Sequence, residues 1–185
     1  MSKSFSLFKP FMYLLCLLSF AECTKDDSKS LSNYEGSYYL DSIYWTGEIV
    51  DFNGDGNGER DMVHEFSGYP GFVKEWIRGE VKLLDDSKLS FHSVVPVCVI
   101  CDPMAQPDIK YYDIEIKAKR HDDWGSPDFD TETFEPSIAD VNKGVRRAVL
   151  YKIQESSYEL HVECSLYSQK SGQKMEGNMI FSFKK

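Results

Sequence analysis

Residues 51–61, Asp-Phe-Asn-Gly-Asp-Gly-Asn-Gly-Glu-Arg-Asp, combine oxygen-bearing side chains with glycines at a spacing that suits a hard cation. Asp51, Asn53 and Asp55 stand at positions 1, 3 and 5, and Gly56 at position 6 permits a sharp turn. Ca²⁺ takes about six to eight oxygen ligands from a loop that curls around it. This segment, called the 51–61 loop below, therefore predicts a calcium site.

The remaining ligands are predicted from the same register. The backbone carbonyl of Asn57 supplies a fourth oxygen, and Glu59 at position 9 supplies another, directly or through water. Met62 occupies position 12, where the EF-hand pattern has a bidentate Glu, so Asp61 is the predicted closing acid and Glu65 the reserve. This departure predicts weak affinity, with a Kd of about 10⁻⁴–10⁻³ M. The alternative is a plain hairpin turn, because Asn-Gly and Asp-Gly are strong turn signals.

Three cysteines are the other candidates for chemistry in the body of the chain: Cys98, Cys101 and Cys164. Cys98 and Cys101 form a CxxC that ends a valine-rich segment, whereas a redox pair places its first cysteine at a helix N-terminus, which lowers the thiol pKa. A structural zinc site needs about four ligands. We interpret all three as buried or disulfide-linked structural cysteines, and the pairings Cys98–Cys101 and Cys98–Cys164 are both open.

No catalytic motif is recognisable in the sequence. Gly-x-Ser-x-Gly, His-Glu-x-x-His and the phosphate-binding loop do not occur, and the four histidines are scattered. Trp45, Trp76 and Trp124 could stack on a sugar, but packing in the core or on the surface is the interpretation for each. The sequence therefore predicts a protein that is not an enzyme.

Alternating apolar and polar residues indicate the strands that must position these side chains. The clearest alternating runs are Tyr112–Ala118, Tyr158–Leu166 and Met179–Phe183. Leu89–Val99 is one long apolar run, and Val73–Leu83 is a weaker case of alternation. We predict an all-β fold of seven to eight antiparallel strands, an up-and-down barrel or a sandwich, with one short helix within Glu59–Phe66. Residues 121–144 show neither the alternation of a strand nor the spacing of an amphipathic helix, and they predict a long acidic loop.

The N-terminal segment is typical of an export signal. Two lysines precede an apolar run, Phe11 to Phe20, that is shorter than the roughly 20 residues of a membrane-spanning helix. The next residues, Phe20-Ala21-Glu22-Cys23, resemble the processing box of bacterial lipoproteins. This resemblance implies that residues 1–22 are a signal peptide and that Cys23 carries the acyl chains; Cys16, inside the apolar run, is a poorer candidate.

The segment after Cys23 predicts a flexible tether and indicates where the protein is located in the cell. Residues 23–33 form the lipidated cysteine and a flexible polar tether to a domain at 34–185. Thr24-Lys25-Asp26-Asp27 resembles a tag of surface-exposed lipoproteins, with an ordinary linker as the alternative. The net charge of −9 disfavours nucleic acid and anionic lipid as partners. We therefore expect an outer-membrane lipoprotein, anchored through lipid, at the cell surface or the periplasmic face.

The order of features resembles the lipocalin-like lipoproteins of Gram-negative bacteria. The resemblance rests on the lipoprotein signal, the opening strand Glu35–Leu40 with its Gly-x-Tyr start, the 51–61 loop and the later strands. It implies a barrel of about eight strands and no known catalytic residue. We expect a binding or structural role, with a small apolar or glycan ligand at the barrel interior or rim. Two alternatives are an envelope hydrolase with acids in residues 121–135, acting on glycan or lipid, and a protein-binding component of a surface complex.

Overall fold

A computed structural model describes residues 30–99, 108–121, 128–137, 144–168 and 173–185. Within these ranges the chain forms eight strands and one α-helix: β1 (Gly36–Trp45), α1 (Met62–Ser67), β2 (Arg78–Asp85), β3 (Lys88–Val99), β4 (Asp108–His121), β5 (Asp128–Thr131), β6 (Val145–Gln154), β7 (Ser157–Ser168) and β8 (Gln173–Lys184). Two short 3-10 turns, Leu31–Tyr34 and Lys74–Trp76, complete the list. No helix in this part of the chain is long and apolar enough to cross a bilayer.

The strands form a nearly closed antiparallel barrel. Their order is β5-β4-β3-β2-β1-β8-β7-β6, so sequence neighbours pair along the meander and the first strand pairs with the last. Phe134, just after β5, exchanges both backbone hydrogen bonds with Ala148 of β6, at 2.9 and 3.0 Å, and so links the two edges. The predicted all-β fold with one short helix is confirmed, and of the two predicted forms the barrel is the one adopted.

Most predicted strands are where the alternation indicated. The apolar positions Ile114, Ile116 and Ala118 of β4 are buried, and so are Leu160 and Val162 of β7, while the intervening polar residues remain at least partly exposed. Because successive side chains of a strand point to opposite faces, these apolar positions line the inside of the barrel.

Two segments differ from the prediction. Val73 and Ile77 lie outside β2, because the chain makes a 3-10 turn at Lys74–Trp76 before the strand begins at Arg78. The predicted 121–144 loop contains a strand, since β5 pairs with β4 from Ala118↔Thr131 to His121↔Asp128. The β5 strand has only four residues, which is too short for alternation to be recognised.

The folded part of the chain begins earlier than predicted. Residues 31–33 were assigned to the tether, but the 3-10 turn Leu31–Tyr34 buries both Leu31 and Tyr34. The Tyr34 ring packs edge-on against Phe129 of β5, with ring centroids 5.4 Å apart. These residues therefore belong to the core.

The Tyr158 ring fills the inside of the barrel at the end that holds the β6–β7 turn. Tyr158 projects from β7, stacks on Phe183 at 4.9 Å and meets Tyr38 edge-on at 5.2 Å. Its hydroxyl reaches across the barrel to Ser93 of β3, with 2.9 Å between the two oxygens. Gly79 of β2 lies beneath it, and a Cβ there would overlap the Tyr158 hydroxyl. Side chains therefore occupy this end of the interior.

Candidate metal centre

The 51–61 loop belongs to the connection between β1 and β2 and is tied firmly to the end of β1. The Trp45 amide donates to the carbonyl of Arg60 at 2.9 Å. The Arg60 guanidinium in turn donates to the carbonyls of Trp45 and Gly47, at 3.1 and 2.8 Å. The Glu59 amide donates to the carbonyl of Val50 at 3.3 Å, which brings the two arms of the loop together. The chain thus curls back on itself in this loop, and hydrogen bonds hold the curl to the end of β1.

Asp51, at position 1, is the organising side chain of the curl. The residue is almost completely buried, with 3% of its surface exposed. One carboxylate oxygen accepts from the Gly54 amide at 2.8 Å and the other from the Gly56 amide at 3.1 Å. Both glycines have positive φ angles, 76° and 93°, in the left-handed region that glycine adopts without steric cost. The two glycines therefore let the backbone wrap around the Asp51 carboxylate.

Asn53 and Asp55, at positions 3 and 5, continue the same pattern. The Asn53 Oδ1 accepts from the Asp55 amide at 3.0 Å, and the Asp55 Oδ1 accepts from the Asn57 amide at 2.7 Å. The Asn53 Nδ2 also donates to the Asp55 Oδ2 at 3.2 Å. Asp55 and Asn57 are exposed. The structure thus places Asp51, Asn53, Asp55 and Asn57 in one curl with an open side toward solvent.

Glu59 and Asp61 have their contacts with α1 instead. A carboxylate oxygen of Glu59 lies 3.1 Å from the Nδ1 of His64, and both side chains are exposed. Asp61 is the N-cap of α1 and accepts from the Val63 amide at 3.0 Å. Capping of this kind stabilises a helix by about 1 kcal/mol. In the described ranges no three or more His, Cys, Asp or Glu side chains converge as a metal-binding group.

Glu65, predicted only as a reserve ligand, lies at the centre of the local hydrogen bonding. It is fully buried on α1, and its carboxylate accepts from the amides of Phe52, Asn53 and Glu59 at 2.8, 3.2 and 2.9 Å. Burial raises the pKa of the Glu65 carboxyl above its usual value; the three amides oppose this rise, and the nearby negative charge of Asp51 adds to it. Two buried carboxylates therefore lie within electrostatic reach of each other.

The sequence contained a signal for this role of Glu65. The apolar residues Met62, Val63 and Phe66 fall on one side of a helix at this position, but the buried set is Met62, Glu65 and Phe66. Positions separated by three and four residues lie on one helix face, so a glutamate at position 65 falls on the apolar stripe. A charged residue on such a stripe requires buried hydrogen-bond partners.

Aromatic packing joins the 51–61 loop to the rest of the β1–β2 connection. Phe52 stands between the predicted ligands at positions 1 and 3 in the sequence, and its ring contacts Phe66 edge-on at 5.0 Å and Tyr69 at 4.4 Å. Phe66 continues to Phe72 at 5.6 Å. Phe52 and Phe66 are completely buried. The backbone of the loop is therefore anchored in the core even though Asp55 and Asn57 are exposed.

The cysteine predictions fall partly on described residues. Cys164 on β7 carries a free, fully buried thiol, and burial raises its pKa to about 12. A thiol of this kind is inert, because the thiolate is the reactive form. Because the Cys164 thiol is free, the structure does not contain the Cys98–Cys164 pair. The Cys98 side chain and the whole of Cys101 lie outside the described residues, as does Cys23, so the Cys98–Cys101 pair and the acylation of Cys23 stay predictions.

The remaining candidates are dispersed. Each histidine contacts a different carboxylate: His64 with Glu59, His92 with Asp113, His121 with Asp130 and His161 with Glu159. Trp45 is completely buried, whereas Trp76 is 57% exposed and packs edge-on against Tyr111 at 5.3 Å. Trp124 lies outside the described residues. These contacts are those of aromatic packing and of separate histidine–carboxylate pairs.

Comparison with known proteins yields little. No family model matches the chain, and no curated protein matches it. A solved structure that does match is a complex of bovine odorant binding protein with a selenium-containing odorant, at 16% identity and a TM-score of 0.30, over 86% of this chain and 75% of that one. The barrel assignment rests on the strand pairing of this chain itself.

Proposed function

We propose that this chain is an exported lipoprotein of the outer membrane whose barrel is stabilised by calcium bound in the 51–61 loop, with a non-catalytic binding or structural role. The observation that carries the calcium assignment is the curl around Asp51. A buried carboxylate held by two glycine amides, with Asn53 and Asp55 oxygens in the same turn, supports the assignment, because a hard cation takes oxygen ligands from a loop that curls around it. Because the curl opens to solvent, water can complete the coordination.

The charges in the loop also support a cation. The buried carboxylates of Asp51 and Glu65 repel each other, and this repulsion contributes to the raised pKa of Glu65. A divalent ion next to Asp51 would offset that repulsion. The donor set consists of carboxylate and amide oxygens, which suit Ca²⁺ or Mg²⁺ rather than softer metals. A loop that leaves Asp55 and Asn57 exposed favours calcium, which accepts irregular coordination completed by water, since magnesium demands near-ideal octahedral geometry.

The calcium assignment is tested by replacing Asp55 with alanine in the full-length chain. With a Kd of about 10⁻⁴ M, ~10 mM calcium stabilises the wild type by about 2.7 kcal/mol, which corresponds to a rise in Tm of roughly 5–10 °C. Asp55→Ala is expected to lose most of this rise, because it removes the ligand at position 5. The measurement is thermal unfolding with calcium and with EDTA.

The matched control for that experiment is Asp86→Ala. Asp86 is an exposed acid in the turn between β2 and β3, away from the 51–61 loop. It carries the same charge change, so its calcium response is expected to equal that of the wild type. Equal calcium responses in all three proteins would place the cation elsewhere, and no response in the wild type would leave the loop as a plain turn.

The anchor assignment is tested at Cys23. The chain produced in a Gram-negative host is expected to incorporate labelled palmitate and to sediment with membranes, because several acyl chains give stable anchoring at about 0.8 kcal/mol per buried CH₂. Cys23→Ser is expected to lose the label, whereas Cys16→Ser, a cysteine within the predicted signal, keeps it. Label that persists in Cys23→Ser would remove the anchor assignment.

A further inference from the structure

Glu65 connects the two arms of the 51–61 loop to one rigid element. One carboxylate oxygen accepts from Phe52 and Asn53 on the entry arm, at 2.8 and 3.2 Å. The other accepts from Glu59 on the exit arm, at 2.9 Å. A single carboxylate on α1 therefore bridges the two arms and sets the separation between their amides.

The helix that carries Glu65 is itself fixed. Met62 and Phe66, on the same face of α1, are completely buried, and the Phe66 ring contacts Phe52. Asp61 caps the start of the helix. The amide of Asn53, the residue at position 3, is consequently held at a defined distance from the barrel core, and so is the amide of Glu59 at position 9.

The hydrogen bonds of Glu65 also limit what else this carboxylate can do. An ionised carboxylate has about four lone-pair sites. Three of these accept backbone amides, so bidentate metal binding would require the loop to release hydrogen bonds that hold it in place. Charge-assisted hydrogen bonds to a buried carboxylate are costly to lose.

We propose that Glu65 is a positioning residue for the calcium loop: it is not a ligand, and it holds the backbone at positions 2, 3 and 9 so that the ligands at positions 1, 3 and 5 converge. This inference rests on the proposed function and goes beyond it by assigning the affinity of the loop to a buried group on α1. Residues that orient metal ligands change affinity by roughly 10- to 100-fold when they are replaced.

The test is calcium titration of the full-length chain by calorimetry, at a temperature well below unfolding. Glu65→Gln keeps the shape of the side chain but turns one acceptor into an NH₂ donor facing backbone amides. It is expected to weaken calcium binding by roughly 10- to 100-fold. Hydrogen exchange at the amides of Phe52, Asn53 and Glu59 is expected to accelerate in the same variant, with or without calcium.

The matched control is Phe91→Leu, at a buried residue of β3 whose ring contacts Tyr158 edge-on. It loosens the barrel core but leaves α1 and the acceptors of the 51–61 loop unchanged, so it is expected to lower the Tm while the calcium affinity stays within about two-fold of the wild type. A second variant, Glu65→Asp, retains the charge but is one methylene shorter and cannot reach both arms. It is expected to lose affinity as well, and it provides the measurement if Glu65→Gln does not fold.

The outcomes separate this inference from the proposed function. Wild-type affinity in Glu65→Gln or Glu65→Asp would overturn the positioning role alone. An equal loss in Phe91→Leu would also overturn it, because a general loss of stability would then suffice. No calcium binding by the wild type would overturn the proposed function and this inference together.

Discussion

Replacing Gly79 with alanine is expected to destabilise the barrel by ~3 kcal/mol and to lower the Tm by roughly 6–12 °C. The new Cβ would overlap the Tyr158 hydroxyl and would lie 2.9 Å from the Cζ of the same ring. The ring has little freedom to retreat, because it stacks on Phe183 and meets Phe91 edge-on at 5.1 Å. Calorimetric unfolding of the purified protein measures the effect.

A double-mutant cycle identifies the cause of that loss. Tyr158→Phe alone leaves the buried Ser93 hydroxyl without its observed partner, at a cost of about 1–3 kcal/mol. In the double variant the phenylalanine ring has no hydroxyl to collide with the methyl group introduced at position 79. The loss in the double variant is therefore expected to be smaller than the sum of the two single losses. Strict additivity would show that Gly79 is small for a reason other than the Tyr158 ring.

Trp45→Ala is expected to cost about 3–5 kcal/mol, the usual range for removing a large buried aromatic side chain. Trp45 is completely buried at the end of β1, and its Nε1 donates to the carbonyl of Glu48 at 2.7 Å. The ring packs over Gly47 and Gly177, where an added Cβ would come within 2.6–2.8 Å of it. The substitution therefore opens a cavity and leaves one carbonyl without its observed donor, and chemical denaturation measures the loss.

Trp76→Ala is the control that the chain itself provides. It removes the same side chain from a site that is 57% exposed, where the ring contacts Tyr111 only at its edge. The expected cost is about 1–2 kcal/mol, well below that of Trp45→Ala, because more than half of Trp76 already faces water. Similar losses in the two variants would contradict the assignment of Trp45 to the core.

Strand pattern was the part of the fold that the sequence determined most clearly. Long antiparallel strands with one face inward alternate strictly, so β4, β7 and β8 could be recognised from their residues alone. β5 has only four residues and lies at an edge of the sheet, and the 3-10 turns show no repeating pattern of apolar residues. These elements could therefore not be recognised from the sequence. The barrel form itself depends on the exchange between Phe134 and Ala148, a long-range contact that no local pattern encodes.

The candidate site was predictable in its residue types but not in its hydrogen bonds. Oxygen side chains at alternate positions with Gly56 indicated the curl around Asp51. The remaining contacts followed from tertiary packing, since Asp61 became the N-cap of α1 and Glu65 the acceptor for three amides. Nothing in the sequence indicated that position 79 must be glycine. The residue that leaves no room for a larger side chain there is Tyr158, which projects from β7 on the opposite side of the barrel.

The pairing of β1 with β8 has a consequence for the order of folding. Residues 173–184 insert between the first strand and β7, and Ile43 pairs with Phe181, 138 residues further along the chain. Contacts of such sequence separation are entropically expensive to form, and proteins rich in them fold slowly. Hairpins among the earlier strands can form as local units, but the ring of strands stays incomplete until this late segment arrives.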